Sequence, residues 1–363
     1  MCTVGELFGG VERHVLGMLA GLAARGAQAT LVVFFSGELA EQARAAGTDL
    51  VVLPSSNMMI LGTAARLGAI LQQRGIQVVH VHGYKAMVYC ALARRWHRFA
   101  IVKTEHGLPE PMAGGRTRAW RDRLYRRVDA AATGFAGAAV CYVTRDLQGH
   151  HLPRHAGLRA SVVCNGVEIM DRSRFARPAE YPAGRFNLLI AGRLDLVKGH
   201  HVAIAALGGQ GMPPEAHLCI AGAGPREPEL RALAAAHGVS HRVHLLGFKR
   251  NAYDYIAHCD ALLMPSFHEG LPYTLLEAMA LGVPIIASRV GGLAEVLEHE
   301  VTGLLVEAGN AAALAAAVRR LADEPALRET LGKNAQAAQR ARYSLKAMTE
   351  SYLAVYREVA RWE

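Results

Sequence analysis

The sequence lacks any hydrophobic run long enough to cross a membrane, because its longest apolar stretches have only the length of a β-strand. A transmembrane helix needs about 20 consecutive, mostly apolar residues. A basic segment followed by an apolar run, the pattern of a secretory leader, is also missing at the amino terminus, which argues against secretion. We therefore expect a cytoplasmic protein.

Cysteine and histidine patterns typical of metal sites are also lacking. The six cysteines are scattered, and none stands at metal-ligand or redox-motif spacing, so we interpret them as reduced core thiols. The 17 histidines include only three close pairs, and none of these pairs is followed by further ligands at usable spacing: His80/His82, His150/His151 and His200/His201. No structural metal is expected.

What is present is an ordinary α/β composition with an uneven charge. The 363 residues, 52% hydrophobic and 20% charged, suffice for two domains with full cores. Residues 1–182 carry 22 Lys and Arg against 13 Asp and Glu, whereas residues 183–363 carry 18 of each. The whole excess of +9 therefore lies in the first half, and ten of its basic residues fall within 94–127.

The most informative stretch is 265–284, PSFHEGLPYTLLEAMALGVP. Pro265 ends an apolar strand, Pro272 suits the first turn of a helix, and Gly282 with Pro284 ends that helix before another apolar strand. Such strand, turn, helix, strand units build open parallel sheets, which bind ligands at the carboxyl ends of their strands.

This turn places candidate ligand groups at the start of a helix. The amides of Tyr273 and Thr274, together with the helix dipole, could hold a phosphate oxygen. Glu269 stands just before the helix and Glu277 within it, so one carboxylate could meet a ligand beside the phosphate and the other a group further away. Taken singly, each is better explained as a helix-start acid or a solvated surface residue.

Two cations follow the strand predicted at 187–191, in the segment GRLDLVKG. Gly192 frees the backbone at the strand end, and Arg193 and Lys198 supply a forked donor and a point charge, which suit a diphosphate leaving group. Each alone could equally be an exposed loop cation. Gly222, in GAGP after the strand at 217–221, forms a weaker turn motif placed for a nucleotide.

The first half begins with a Gly9-Gly10 turn before a helix over 11–25, preceded by at most a strand remnant from Cys2 to Val4. His106 stands two residues past a strand over 100–104, which predicts a position at the ligand-binding end of the sheet. For His80 and His82, which end another strand, we expect His80 to be packed and His82 to face the mouth, with structural roles for both.

A basic helix is predicted over 116–128, with Trp120, Leu124 and Val128 forming an apolar stripe at a spacing of four. A core-facing stripe on a solvated helix is the ordinary explanation. With the one-sided charge, we favour a surface for an anionic membrane or an acidic acceptor over nucleic acid, since no nucleic-acid-binding module is present. The arginines assigned to this surface are Arg94, Arg95, Arg98, Arg116, Arg118, Arg121, Arg123 and Arg127.

The run EGLPYTLLEAMALGVPIIAS, followed by GGLAEVLEHEVTGLLV, resembles the carboxyl-terminal signature of retaining glycosyltransferases of family 4. TEHG, GRL with KG, and CNGV resemble other motifs of that family. The resemblance implies the GT-B fold, an α/β architecture of two Rossmann-like domains with parallel sheets facing across a cleft. The expected boundaries are an acceptor domain at 1–170, a linker at 171–185, a donor domain at 186–345 and a helix at 346–363 that packs back on the first domain.

The resemblance also implies roles for individual residues. Glu277 would hold the ribose, Glu269 the sugar hydroxyls, and His106 the sugar near the reacting carbon, while the diphosphate would lie on Arg193, Lys198 and the amides of Tyr273 and Thr274. The remaining implied donor contacts are Gly9, Gly10, Gly222 and Gly270.

The activity implied by the resemblance is front-face transfer of a hexose from a nucleotide-diphosphate sugar to a glycan or lipid-linked acceptor. The leaving phosphate would accept the proton of the acceptor, so neither a cofactor nor a metal is expected. The absence of a D-x-D triplet agrees with this. Two alternatives stay open: a nucleotide-sugar epimerase of the same two-domain plan, and a non-catalytic nucleotide-sugar-binding scaffold.

Overall fold

The computed structural model describes residues 1–5, 9–54, 60–108, 116–151 and 154–361, without the side chains of 116–119 and 122. The chain forms two compact units. Unit 1 comprises Met1–Gly166 together with Leu345–Glu363, and unit 2 comprises Val167–Ser344.

Unit 1 contains a seven-stranded sheet in which every neighbouring pair is parallel. Its strand order is β3-β2-β1-β4-β5-β6-β7. The strands are β1 (Cys2–Thr3), β2 (Thr30–Val33), β3 (Asp49–Val52), β4 (Val78–His82), β5 (Ala100–Glu105), β6 (Ala139–Tyr142) and β7 (Ala160–Val162). The strand remnant predicted from Cys2 to Val4 is thus a two-residue strand, which pairs with β2 and β4 in the middle of the sheet.

The helices of unit 1 pack on this sheet through apolar faces, as in α1, where Val15, Met18, Leu19 and Leu22 are buried. The helices are α1 (Gly10–Ala23), α2 (Glu38–Ala45), α3 (Ile60–Gln73), α4 (Tyr84–Ala93), α5 (Arg116–Phe135) and α6 (Arg145–His151), and the last helix of the chain, α14 (Leu345–Ala360). The last helix joins Met18 and Leu22 of α1 and Val102 of β5 in one apolar core cluster.

Unit 2 contains a six-stranded parallel sheet of order β10-β9-β8-β11-β12-β13. The strands are β8 (Phe186–Ala191), β9 (Ala216–Ala221), β10 (Val243–Gly247), β11 (Ala261–Met264), β12 (Ile285–Ser288) and β13 (Leu304–Val306). The helices are α7 (His200–Gly208), α8 (Glu227–Ala236), α9 (Ala252–His258), α10 (Tyr273–Ala280), α11 (Gly291–Val296), α12 (Ala311–Asp323) and α13 (Pro325–Arg342).

Both sheets have one position where the strand order reverses direction, between β1 and β4 in unit 1 and between β8 and β11 in unit 2. In open α/β sheets the crevice outside the carboxyl ends of the two strands at such a position is the usual ligand site. Residues that follow β4, β8 and β11 are therefore the first to inspect for function.

One helix was not predicted, and two differ from their predicted extents. α13 was missed, because its Ala-rich and Gln-rich stretch shows only weak apolar periodicity around Leu331 and Ala335. α1 runs from Gly10 to Ala23 rather than over 11–25, and α5 continues to Phe135 rather than ending at 128. Over the described part of the chain, no helix combines the length and the apolar character that a membrane crossing requires.

Candidate active site

In unit 2, glycines bring the loops after β8, β9 and β11 into close backbone contact. A Cβ atom on Gly222 would lie 1.8 Å from the carbonyl oxygen of Gly192, so no other residue fits there without movement. Gly199 adopts a positive φ of 67°, and a Cβ atom there would lie 2.0 Å from the carbonyl oxygen of Pro265. The loops that carry Arg193, Lys198 and Glu269 are consequently held together at the strand-order reversal.

Lys198 and Glu269 form an ion pair between these loops. Lys198 Nζ lies 2.7 Å from Glu269 Oε1, and Ser266 Oγ donates to the same oxygen at 2.8 Å. The Lys198 side chain is 23% exposed and that of Glu269 only 8%, so the ammonium group is the more accessible partner. The structure thus brings together two predicted residues that are 71 positions apart in the sequence.

Arg193 lies on the same loop but is more open to solvent. Its Nη2 atom lies 3.4 Å from Asp195 Oδ2, and its side chain is 65% exposed. Asp195 also accepts a hydrogen bond from the backbone amide of Lys198 at 3.2 Å, which fixes the turn. Exposed arginine side chains of this kind are able to reach an incoming anion at small cost.

The helix α10 begins where predicted, with Pro272 as its N-cap and Tyr273 and Thr274 as its first two residues. The first amides of a helix have no acceptor one turn earlier, so the start of α10 carries the positive end of the helix dipole, and Glu269 and Gly270 precede it closely in the chain. Glu277 is 1% exposed, so the explanation of this residue as a solvated surface acid is excluded.

In unit 1, His106 belongs to a cluster of imidazoles beyond the ends of β4 and β5. His82 Nδ1 and His106 Nε2 lie 3.0 Å apart. The His14 ring, on α1, lies 4.8 Å from that of His106 and 5.2 Å from that of His82, measured between centroids. The side chain of His82, which was expected to face the mouth, contacts His106 and His14 but is itself only 1% exposed.

A second polar layer lies behind this cluster and is fully hydrogen-bonded. His80 contacts the Tyr356 hydroxyl through Nδ1 at 2.6 Å and the Thr104 hydroxyl through Nε2 at 2.7 Å. Thr104 also pairs with the Tyr352 hydroxyl at 2.9 Å. The expected packing of His80 is therefore confirmed, and α14 supplies two of its partners.

Burial controls the protonation of these histidines. Desolvation lowers the pKa of His14 to about 4, and it lowers the pKa of His80, His82 and His106 well below 6.5. All four imidazoles are therefore neutral at pH 7, and the cluster presents dipoles and lone pairs rather than charge.

Lys103 of β5 is the counterexample, because it is buried and charged. Its Nζ atom lies 2.7 Å from Glu105 Oε1 and 2.6 Å from Asp129 Oδ2. Burial lowers the pKa of Lys103, but the two carboxylates outweigh that effect and raise it. This residue, which the sequence placed in the basic stretch 94–127, therefore contributes to the interior and not to a basic surface.

The basic surface is only partly as predicted. Arg95, Arg98, Arg121, Arg123 and Arg127 are exposed, whereas Arg94 is half-buried and donates to the Ala136 carbonyl at 2.5 Å. The side chains of Arg116 and Arg118 lie outside the described residues. The apolar stripe does not face the core, because Trp120, Leu124 and Val128 are 66%, 41% and 41% exposed.

Sequence reasoning missed His14 and Asn165, which belong to the histidine cluster. His14 Nδ1 lies 3.0 Å from Asn165 Oδ1, and both residues are buried. The signal was present, because position 14 falls on the apolar stripe of α1 between Val11 and Val15. A polar residue on the core side of a helix needs a partner, and this partner lies 151 residues away.

The chain has two α/β units with parallel sheets, and unit 2 carries an ion pair and a helix amino terminus at its strand-order reversal. This arrangement is that of the GT-B class of proteins. Comparison with known families supports this and is more specific. The family model for glycosyltransferase family 4 matches residues 8–170, and the model for glycosyl transferases group 1 matches residues 171–338. The chain therefore belongs to the family 4, group 1 glycosyltransferases, and the predicted resemblance and fold class are confirmed.

Among curated proteins, the chain is 35% identical over 198 residues to the lipopolysaccharide core biosynthesis glycosyltransferase LpsD of Rhizobium meliloti, a match that covers 52% of this chain and 57% of LpsD. The chain thus spans a little over half the length of that relative. A glycogen synthase of Mycobacterium tuberculosis is 27% identical over 391 residues, covering 98% of this chain and 93% of that protein.

Among solved structures, Anabaena HepE in complex with UDP superposes with a TM-score of 0.82 and 21% sequence identity, covering 98% of both chains. HepE has also been solved in complex with UDP-glucose, with the same TM-score. At this level of identity the likeness shows a shared fold.

Proposed function

We propose that this chain is a retaining glycosyltransferase that moves a hexose from a nucleotide-diphosphate sugar to a glycan or lipid-linked acceptor in cell-surface polysaccharide or glycolipid synthesis. The observation that carries the proposal is the Lys198–Glu269 ion pair, held by close glycine contacts beside the amino terminus of α10. The complexes of HepE with UDP and UDP-glucose make uridine sugars the first donors to test. The names of LpsD and glycogen synthase support a glycan acceptor.

In this proposal, charge in unit 2 stabilises the leaving diphosphate. As the bond between the sugar carbon and the phosphate oxygen breaks, negative charge grows on that oxygen, where Lys198, Arg193 and the first amides of α10 can stabilise it. Glu269 releases part of its interaction with Lys198 and accepts hydrogen bonds from sugar hydroxyls, while Glu277 holds the ribose. The acceptor oxygen bonds to the same face of the sugar, and its proton passes to the departing phosphate.

His106 contributes a neutral imidazole near the reacting carbon in this proposal. Because its pKa is lowered by burial, it presents a dipole and not a cation to the sugar. The glycines Gly9 and Gly10, at the exposed start of α1, would contact the donor through their backbone. No resident metal or cofactor enters the proposed reaction.

The exposed stripe on α5 supports a peripheral position at an anionic membrane surface. A helix with aromatic and aliphatic side chains set among arginines suits the interface between lipid headgroups and acyl chains. Vesicles containing anionic lipid should therefore bind the wild-type chain and release the triple variant Arg121→Glu, Arg123→Glu, Arg127→Glu. A matched triple variant in unit 2, Arg289→Glu, Lys333→Glu, Arg340→Glu, changes net charge equally and should still bind. Equal binding by all three proteins would remove this part of the proposal.

The enzyme itself is tested by ligand-induced thermal stabilisation followed by turnover. UDP, GDP or ADP, or one of their sugars, should raise the melting temperature, because a ligand bound only by the folded state stabilises it. The shift should be lost in Glu277→Gln and kept in Glu307→Gln, an exposed control. Stabilisation without acceptor-dependent release of nucleotide would indicate a binding scaffold, and conversion of the sugar without release of nucleotide an epimerase. No stabilisation by any nucleotide would refute the donor site.

A further inference from the structure

Three imidazoles from separate parts of unit 1 converge beyond the reversal of its strand order. His14 lies on α1, His82 ends β4 and His106 follows β5, and one nitrogen of each lies within 4.8 Å of the other two. Three histidines with an open fourth position are a common ligand set for Zn²⁺. A tetrahedral ion bound about 2.1 Å from each nitrogen sets these atoms roughly 3.4 Å apart, so no pair would have to approach by more than about 1.4 Å.

Two nitrogen atoms of this cluster are buried and have no hydrogen-bond partner among the described residues. They are His14 Nε2 and His82 Nε2, on side chains that are 0% and 1% exposed. A buried polar atom without a partner is unfavourable, because it has lost its hydrogen bonds to water, so native proteins rarely retain one without a purpose. A bound cation would satisfy such lone pairs.

Asn165 fixes the orientation of His14 in the way that outer partners orient metal ligands. Its Oδ1 atom can only accept, so the hydrogen lies on His14 Nδ1, 3.0 Å away, and the lone pair lies on Nε2. Histidine ligands almost always donate their other ring nitrogen to such an acceptor. The structure thus holds His14 in the tautomer that metal binding requires.

Charge distinguishes this cluster from a second group that also contains metal-binding side chains. Glu105, His151 and His155 lie equally close together, but Lys103 Nζ is only 2.7 Å from Glu105 and already neutralises that carboxylate. An ammonium group in that position repels an incoming cation. The hydrogen bonds of His14, His82 and His106 are instead with one another and with the side-chain amide of Asn165.

We propose that His14, His82 and His106 form a binding site for a divalent transition-metal ion such as Zn²⁺. The ion would join α1 to the ends of β4 and β5, and it would withdraw His106 from any other ligand. The proposal stands independently of the glycosyltransferase activity. If His106 does contact the sugar, the same ion would compete with the donor and inhibit the enzyme.

The test is binding of Co²⁺, a coloured substitute for Zn²⁺, to the full chain after chelator treatment. Wild-type protein should show the visible absorption of one bound Co²⁺, which Zn²⁺ displaces, and Zn²⁺ should raise its melting temperature. His14→Gln and His82→Gln should lose the signal. His80→Gln should keep it, because both ring nitrogens of this neighbouring buried histidine already have partners.

Adventitious binding is controlled by a close histidine pair of unit 2, His217 and His244, whose ring nitrogens lie 2.9 Å apart. The double variant His217→Gln, His244→Gln should still bind one Co²⁺. Asn165→Ala should weaken binding about 10- to 100-fold without abolishing it. His82→Cys replaces one ligand by another and should restore binding with a thiolate absorption band, even if His82→Gln is poorly folded.

Three results would overturn the proposal. The first is absence of Co²⁺ absorption in the wild type. The second is an unchanged signal in both His14→Gln and His82→Gln. The third is loss of the signal in the double variant of His217 and His244, which would assign the ion to unit 2.

Discussion

The two units place polar groups at equivalent positions of similar sheets but treat charge in opposite ways. Unit 2 keeps a charged pair, Lys198 and Glu269, partly open to solvent beside the start of α10. Unit 1 places several histidines around His106, and burial lowers their pKa so that they stay in the neutral form. The same topology thus gives a site suited to an anion in one unit and a site suited to dipoles or lone pairs in the other.

The difference follows from the residues that end the strands. The small residues around Lys198 leave its side chain partly exposed to solvent, so the desolvation penalty of its charge is small. In unit 1 the aromatic rings of His14, His82 and Tyr352 exclude water, and a charge there would need a partner. Lys103 shows what that requires, because it is buried against two carboxylates.

The largest effect on stability should come from breaking this buried network with Lys103→Met. Removing the ammonium group leaves Glu105 and Asp129 without their cation, and breaking a buried pair typically costs about 3–5 kcal/mol. Urea unfolding should show this loss, with faster amide exchange confined to unit 1. Lys333→Met, which removes an exposed pair with Glu329 in unit 2, should change stability by less than about 1 kcal/mol. Equal unfolding midpoints for both variants would contradict the contrast between the units.

The next effect concerns turnover in unit 2. If Lys198 stabilises the leaving diphosphate, Lys198→Ala should lower kcat/KM about 10²- to 10³-fold, corresponding to about 2.7–4 kcal/mol. Glu269→Gln should also reduce turnover, and the double variant should lose less than the sum, because the two side chains contact each other. The measurement is acceptor-dependent release of nucleotide. Full activity in both single variants would remove these roles.

Lys198 and Glu269 show how much of this site could be predicted from the sequence. Local motifs marked both residues, because strand ends, prolines and glycines are short-range signals, but their direct contact across 71 positions was not predictable from spacing. His14 was missed for the related reason that its partner Asn165 is distant in the chain. The helix over 116–128 was predicted correctly as amphipathic, whereas the direction of its apolar stripe depends on packing that periodicity does not contain.

Acid should destabilise unit 1 more than unit 2. A histidine whose pKa is 6.5 when unfolded and about 4 when folded, as for His14, leaves the unfolded state with more bound protons between these values. Stability is therefore complete above pH 6.5 and falls as the pH drops towards 4, by on the order of 3 kcal/mol for such a residue. In unit 2 the pKa is lowered for four histidines, at positions 200, 201, 217 and 244. The described residues of unit 1 include six such histidines, at positions 14, 80, 82, 106, 151 and 155, and for His80, His82 and His106 the pKa lies well below 6.5.

This prediction can be checked by amide exchange at pH 7 and pH 5, segment by segment. Protection should fall first in β4, β5 and α1, and His14→Gln should reduce the pH dependence there. If unit 2 lost protection first, burial of neutral histidines would not be the feature that separates the units.

The smallest expected effect concerns the close contact between the backbones of Gly222 and Gly192. Gly222→Ala places a methyl group where the Gly192 carbonyl lies, so it should destabilise unit 2 by about 1–3 kcal/mol and weaken nucleotide binding. Gly134→Ala in α5 meets open space and should be neutral or stabilising by up to about 1 kcal/mol, because alanine favours a helix. The measurement is the melting temperature of both variants. A Gly222→Ala protein as stable as wild type would mean that the loops after β8 and β9 are not fixed by this contact.

The position of α14 has a consequence for the order in which the protein is made. Unit 2 is one continuous segment, but unit 1 needs Leu345–Glu363, which the ribosome adds after all of unit 2. All of unit 2 is therefore synthesised before α14. His80 and Thr104 can form hydrogen bonds with the hydroxyl groups of Tyr356 and Tyr352 only after α14 has left the exit tunnel. A chain truncated before residue 345 would contain all of unit 2 but would leave His80 and Thr104 of unit 1 without their tyrosine partners.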